Sequence, residues 1–162
     1  MTHHQINHRT PQTKISFGTT SAVITNLGLI AGLSGMEQSK TIIIAGILIV
    51  ALADNISDSA GIHIFQESEF VSNRENWIST ITNFFVRLVV SLTFLVLILV
   101  FPFKMAIGVS MVWGLVLLAV LSYKIAKAKN VNPINAIVEH VGIAAVVIIL
   151  STVVRYYISS KF

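Results

Sequence analysis

Five long apolar runs constrain the fold of this chain more than any other feature of its sequence. They cover roughly residues 15–33, 41–69, 77–100, 105–125 and 133–158. About 20 apolar residues in a helix span the hydrocarbon layer of a bilayer, and these runs approach or exceed that length. None of them alternates with a period of two, the pattern of a membrane β-strand. The sequence therefore predicts an all-α integral membrane protein with five transmembrane helices.

The composition is typical of an integral membrane protein. Only 11% of its residues are charged and 54% are hydrophobic, with a mean hydropathy of +0.81, whereas soluble domains carry about 25% charged residues. The connections between the runs are short, so we expect a polar cytoplasmic tail over residues 1–14 and a single membrane domain over residues 15–162. The net charge of +4 lies mostly in tails and loops, and we expect no nucleic-acid partner.

The distribution of basic residues predicts the orientation. Six of them lie in the tail and beside the connections that follow the second and fourth runs, whereas four lie at the other ends of the runs. Cytoplasmic connections carry an excess of Lys and Arg. The bias predicts a cytoplasmic N-terminus and a C-terminus on the opposite side. Arg87 is left inside the third run.

The second run carries polar residues where lipid-facing ones are expected. Asp54, Asn55 and Asp58 share one face of a helix that turns about 100° per residue, and His63 lies just beyond that face. A carboxylate inside a bilayer costs several kcal/mol unless it faces protein, water or an ion. Two carboxylates one turn apart also repel each other, unless a cation or a shared proton relieves them. Asp, Asn and His together suit Mn²⁺, Fe²⁺ or Zn²⁺ better than Ca²⁺.

Glu139 and His140 interrupt the start of the fifth run, on the side of the membrane where the polar part of the second run ends. We expect them, with His63, to line a cytoplasmic entrance, although a hydrogen bond between helices explains the adjacent pair equally well. The predicted metal-site residues are Asp54, Asn55, Asp58, His63, Glu139 and His140.

Small residues at four-residue spacing predict close helix packing. Gly28 and Gly32 lie in the first run, and Ala53, Ser57 and Gly61 lie along the second. Such spacing lets two helix backbones approach closely, either within one bundle or between two subunits. We expect a homodimer with the first helix near its interface.

Several stretches resemble the vacuolar iron transporter family. They are FGTTSAVITNLGLIAGLSG (residues 17–35), IIIAGILIVALA at the start of the second run, and LSYKIAKAKNVNPINAIVEHVGIAAVVIIL (residues 121–150). The likeness keeps the family's order and spacing over most of residues 15–160. It implies a dimer of five-helix subunits that moves Fe²⁺ or Mn²⁺ out of the cytoplasm, in exchange for protons.

The chain departs from this family at the positions that bind metal. The aspartate of the family's first helix corresponds to Ser21, and the exit of the second helix has no methionine where the family has a metal-binding one. The glutamate-rich cytoplasmic domain of plant members is missing between the second and third runs. One interpretation is that the acids moved to Asp54 and Asp58 and preserved a site with different ligands.

The leading functional hypothesis is a divalent transition-metal transporter, with the bilayer, the transported ion and a second subunit as partners and no resident cofactor. The alternative is a non-transporting membrane interaction protein whose polar residues form an internal network. We do not expect an enzyme, because the sequence shows no nucleophile set, phosphate loop, zincin motif or dinucleotide fingerprint.

Overall fold

The computed structural model describes the backbone of residues 11–35 and 39–161 and the side chains of residues 18–35 and 40–161. All elements in these ranges are helical. They are α1 (Pro11–Leu33), α2 (Ser39–Ile49), α3 (Asn55–Ser68), α4 (Asn73–Val100), α5 (Phe103–Ala128) and α6 (Pro133–Lys161). A π-helical segment, Val50–Asp54, joins α2 to α3.

The predicted all-α membrane fold is confirmed. Four helical stretches are long and apolar enough to cross a bilayer: Lys40–Ser68, Asn73–Val100, Phe103–Ala128 and Pro133–Lys161. α1 contributes a shorter apolar segment, Gly18–Leu33. Its helix already begins at Pro11, inside the segment that we assigned to the tail, and the tail residues 1–10 lie outside the described part of the chain.

α1 occupies the centre of the bundle. It packs against α2, α4, α5 and α6, whereas α3 packs mainly against α4 at the edge of the bundle. Apolar side chains fill the space between the helices and form one buried cluster. Its members are Ala22, Val23, Leu27, Ile30, Ile43, Ile47, Val90, Phe94, Ile98, Ala106, Leu118 and Ala144.

The glycines of α1 face another helix of the same subunit. A Cβ atom at Gly28 would lie 2.8 Å from Val147 Cγ1, and one at Gly32 would lie 3.6 Å from Ser151 Cβ, both on α6. These glycines therefore serve packing within one bundle. They give no support to a dimer interface at α1, because α6 already covers their face of the helix.

α5 packs through a stripe of small residues. Its buried positions recur at every fourth residue, namely Ala106, Ser110, Gly114, Leu118, Ser122 and Ala126. The backbone of α5 lies close to α1 at Gly114, where a Cβ atom would lie 2.6 Å from Leu27 Cδ2. Small residues at this spacing let membrane helices approach until dispersion forces hold them together.

Polar contacts fix both ends of α4. The Ser72 side chain accepts a hydrogen bond from the backbone N–H of Glu75 at 3.4 Å and caps the start of α4. At the other end of α4, Lys40 Nζ donates to the carbonyl oxygens of Leu99 and Phe101, each at 3.3 Å. A cation there also interacts favourably with the helix dipole.

Candidate functional site

The polar part of the second span begins near the middle of its helical stretch. Asp54 is the central residue of Lys40–Ser68, about 21 Å of helix from either end, and Arg87 lies close to the centre of Asn73–Val100. Ionisable residues at the middle of a bilayer are costly, and their usual position is against a partner, a cavity or an ion. The two centres meet where α3 packs against α4.

Arg87 connects three side chains of the second span. Its Nη2 forms an ion pair with Asp54 Oδ2, and its Nη1 lies 2.8 Å from Asp58 Oδ2. Its Nε donates a hydrogen bond of 2.9 Å to Asn55 Oδ1. The contact with Asp58 is an ion pair without the alignment of a hydrogen bond. A guanidinium stays charged at any physiological pH, so it supplies the positive charge that two neighbouring carboxylates need.

The cluster is buried on one side and open on the other. The Arg87 side chain is 1% exposed, whereas those of Asp54 and Asp58 are 43% and 30% exposed. Both carboxylates use Oδ2 toward Arg87, and neither Oδ1 has a hydrogen-bond partner among the described residues. Both polar groups of the Asn55 side chain have partners, because Oδ1 accepts from Arg87 and Nδ2 donates to the carbonyl of Ala51 at 2.9 Å. Asn55 therefore holds Arg87, and the acids keep oxygens available to a ligand.

The π-helical segment aims these residues at α4. The backbone N–H of Asn55 reaches back to the carbonyl of Val50, five residues earlier. The buried positions of this span, which include Ile47, Ala51 and Ser59, recur at every fourth residue. In a regular α-helix each four-residue step drifts by about 40°, and a wider π turn offsets part of that drift. Single π turns are frequent at functional sites.

Further polar contacts extend from the cluster along α4. Asn83 Nδ2 donates to Ser59 Oγ at 3.1 Å, and Asn26 Nδ2 donates to Ser91 Oγ at 3.0 Å. α1 comes close enough to Asn83 that a Cβ atom at Gly18 would lie 2.5 Å from its Oδ1. Arg87 is therefore enclosed by amide and hydroxyl groups as well as by the carboxylates.

His63 lies apart from the two acids. Nine residues separate it from Asp54, or about 13 Å along the helix. Its Nδ1 lies 3.1 Å from Thr80 Oγ1, and its ring packs against Trp77 with the ring centroids 4.6 Å apart. The structure places it between α3 and α4, on the side toward the turn that joins them.

Glu139 and His140 lie on α6, which packs against α1 and α5 rather than beside the acids of α3. His140 Nδ1 lies 2.9 Å from Ser122 Oγ, which itself donates to the carbonyl of Leu118 at 2.6 Å. Glu139 is exposed on the outside of the subunit. The structure thus brings Asp54, Asn55 and Asp58 together, and it gives His140 a hydrogen bond between helices, the second of the two interpretations.

No group of three or more His, Cys, Asp or Glu side chains comes together in residues 18–35 and 40–161 in a way that could hold a metal ion. The chain provides two carboxylates beside a guanidinium. A complete set of metal ligands needs further donors, from solvent or from another chain.

Sequence reasoning missed the partner of the acids. Arg87 was left inside the third run without a role, although an arginine in an apolar span calls for a carboxylate within reach. Asn83 and Ser91, which neighbour it at four-residue spacing, carry the same signal: polar residues on one face of an apolar helix.

Comparison of the chain with protein-family models, curated proteins and solved structures finds no match. The fold and the site define a multi-pass, all-α membrane protein with a buried arginine–carboxylate cluster at mid-depth. The resemblance to the vacuolar iron transporter family remains a prediction from the quoted stretches of sequence.

Proposed function

We propose that this protein carries a divalent transition-metal ion, of the Fe²⁺ or Mn²⁺ class, across the membrane. We further propose that it works as a homodimer, with the Asp54 and Asp58 carboxylates of the two copies facing one another. One observation carries the proposal: both carboxylates lie at mid-depth and open toward the outside of the subunit, while Arg87 is buried.

The charge of the cluster supports a dimer with one divalent ion. Two carboxylates and one guanidinium leave a net charge of −1 in each subunit, so two clusters that face each other carry −2. A charged group at the bilayer centre costs roughly 3 kcal/mol or more when it faces lipid. One divalent cation between the two copies neutralises both clusters, and the four Oδ1 atoms are oxygen ligands of the kind that Mn²⁺ accepts.

The outer surface of α3 supports the position of the second subunit. Ala53, Ser57 and Gly61 are exposed at four-residue spacing, and a Cβ atom at Gly61 would meet nothing within 4 Å. We call these three residues the α3 stripe. It borders the open side of Asp54 and Asp58, and its small side chains allow a second helix to approach closely. The proposed interface is therefore the α3 stripe rather than α1.

The mid-depth position supports transport over a surface role. Secondary transporters bind substrate and coupling ions near the bilayer midplane, often where a helix departs from regular geometry. The π-helical segment that ends at Asp54 is such a departure. The exchange for protons implied by the family likeness and the cytoplasmic position of the N-terminus are parts of the same proposal.

A non-transporting protein with an internal polar network is the second candidate. Arg87 favours it, because this residue pairs with both acids and stabilises them without a metal ion. The two candidates differ in what the Oδ1 atoms do. Transport requires them to bind a cation, whereas a structural network leaves them toward a partner protein or solvent.

Equilibrium binding of Mn²⁺ to the purified full chain, followed by electron paramagnetic resonance, separates the candidates. We expect one Mn²⁺ per two chains in the wild type. Asp54→Asn removes a carboxylate beside a buried counter-ion, so we expect Mn²⁺ affinity to fall at least about 30-fold, the equivalent of 2 kcal/mol. Glu139→Gln removes an exposed acid elsewhere and serves as the matched control. If the wild type binds no Mn²⁺, or if Asp54→Asn binds Mn²⁺ as tightly as Glu139→Gln does, the second candidate replaces the first.

A further inference from the structure

The inner face of α4 carries a continuous series of buried polar side chains toward α1 and α3. We call this series the polar seam. Its members are Asn26 on α1, Asn55 and Ser59 on α3, and Asn76, Ser79, Asn83, Arg87 and Ser91 on α4. From Asn76 to Ser91 the seam follows about 22 Å of helix. Only its middle part, around Arg87, belongs to the proposed metal site.

Three amide oxygens in the seam lack partners. Asn26 Nδ2 donates to Ser91 Oγ, and Asn83 Nδ2 donates to Ser59 Oγ. Asn76 Nδ2 donates to the backbone carbonyl of His63. Their Oδ1 atoms are buried and have no hydrogen-bond partner among the described residues. Buried polar groups in proteins almost always find a partner, and ordered water supplies it where no protein group does. A row of buried hydrogen-bond acceptors along a helix interface favours a chain of ordered water molecules there.

The seam gives way to apolar side chains on α4, on α1 and along the second span, where α2 precedes α3. Beyond Ser91, the buried residues of α4 are Phe94 and Ile98. Ile30 on α1 and Ile47 on α2 belong to the same buried apolar cluster. The change from amides and hydroxyls to isoleucine and phenylalanine leaves no polar group to carry water further along this interface.

We propose that the polar seam is a one-sided path for water, which leads from the turn between α3 and α4 to Arg87 and ends at Phe94. The path reaches the Arg87 cluster from inside the subunit, separately from the open side of the carboxylates. It goes beyond the proposed function, because a hydrated seam closed at one end does not depend on the ion that is carried. Phe94 is the residue that separates the path from the other side of the membrane.

Silver ions test the path, since Ag⁺ travels through water and reacts with thiols. The chain has no cysteine, so single substitutions report directly: Ser59→Cys, Ser79→Cys and Ser91→Cys along the seam, and Ile47→Cys in the apolar cluster. The readout is the loss of maleimide labelling after denaturation of the full-length protein. We expect the three seam cysteines to react at least about tenfold faster than Ile47→Cys. Equal rates at all four positions would overturn the path. This result is independent of Mn²⁺ binding, so failure of the two proposals can be told apart.

The role of Phe94 is tested in the Ile47→Cys background. Phe94→Ala removes the side chain that closes the seam, and we expect it to raise the rate at which Ag⁺ reacts with the Ile47→Cys thiol to that of the seam positions. Leu118→Ala is the matched control, because Leu118 is equally buried in the same cluster but lies on α5. An unchanged rate with Phe94→Ala, or an equal rise with Leu118→Ala, would overturn the assignment of Phe94.

Discussion

At the scale of single residues, Arg87 organises the middle of the protein. Its guanidinium is the fixed positive charge beside Asp54 and Asp58, and Asn55 holds it in place. Breaking a buried ion pair by removing one partner costs more than never having built the pair, because the remaining charge stays in a low-dielectric surrounding. Loss of Arg87 therefore destabilises the protein more than loss of either carboxylate does.

We predict that Arg87→Gln lowers the free energy of unfolding by about 3 kcal/mol or more, since it leaves two carboxylates without a counter-ion. Adding Asp54→Asn and Asp58→Asn to that variant removes both uncompensated charges and should restore most of the loss. Reversible unfolding in mixed micelles measures both effects. If Arg87→Gln is as stable as the wild type, or if the triple variant is less stable than Arg87→Gln, Arg87 does not stabilise the two carboxylates.

The sequence predicts the acids better than it predicts their partner. A four-residue spacing puts Asp54 and Asp58 on one face of any helix, and in the structure both reach Arg87. Which residue of α4 lies opposite them depends on how two helices slide past each other. That register depends on side-chain packing along the whole interface, and periodicity within one helix does not determine it.

At the scale of helices, close approach rather than bulk hydrophobicity holds the bundle together. Lipid tails are as apolar as the core, so membrane helices associate through packing and hydrogen bonds. The stripe of α5 and the glycines of α1 provide such contacts. The four-residue spacing of the α1 glycines predicts close helix packing but does not say which helix fills the groove, and in the structure that helix is α6.

We predict that Gly114→Ala destabilises the fold by about 1–3 kcal/mol, the usual cost of overpacking. The added Cβ would lie within 3.0 Å of three atoms of Leu27, whose side chain is fully buried. Gly108→Ala, on the same helix, meets nothing within 4 Å and is the control. Melting temperatures in detergent give the comparison. Equal melting temperatures for the two variants would show that α5 and α1 are farther apart than described.

The α3 stripe gives a prediction about the dimer. Gly61→Leu inserts a large side chain into the proposed interface, so we expect dimers to dissociate and Mn²⁺ binding to be lost with them. Gly142→Leu places the same side chain on α6, where a Cβ atom also meets nothing within 4 Å. Light scattering or mass photometry in nanodiscs measures the oligomer. If the dimer persists with Gly61→Leu but dissociates with Gly142→Leu, the interface lies at α6 instead of α3.

At the scale of the whole molecule, the bundle is polar inside at one end and apolar inside at the other. Seven buried amide, hydroxyl and guanidinium side chains lie along α3 and α4 between the turn that joins these helices and Ser91. The sequence predicted an uneven distribution along the second span alone. It did not indicate that α4 continues the polar series, since Asn83 and Ser91 are scattered in an apolar run, Asn76 lies just before it, and the three share a face only once the helix is built.

The orientation of this asymmetric bundle remains a prediction from the basic residues. We expect cysteines at Lys127 and Lys161 to be labelled from opposite sides of the membrane by an impermeant maleimide, with Lys127→Cys on the cytoplasmic side. Each lies in the last turn of a long helix, α5 or α6. Labelling of both from one side would contradict an odd number of spans, and labelling of Lys127→Cys only from outside would reverse the orientation.

The initial rate of Mn²⁺ uptake into proteoliposomes measures whether the Arg87 cluster serves ion movement across the membrane. We expect uptake above that of empty liposomes for the wild type and for Glu139→Gln. For Asp54→Asn, which keeps the shape of the side chain but removes one carboxylate, we expect a reduction of at least about tenfold, corresponding to 1.4 kcal/mol. Imposing a pH gradient on the same vesicles tests the exchange for protons. Wild-type uptake no greater than that of empty liposomes, or uptake by Asp54→Asn equal to the wild type, would contradict the account.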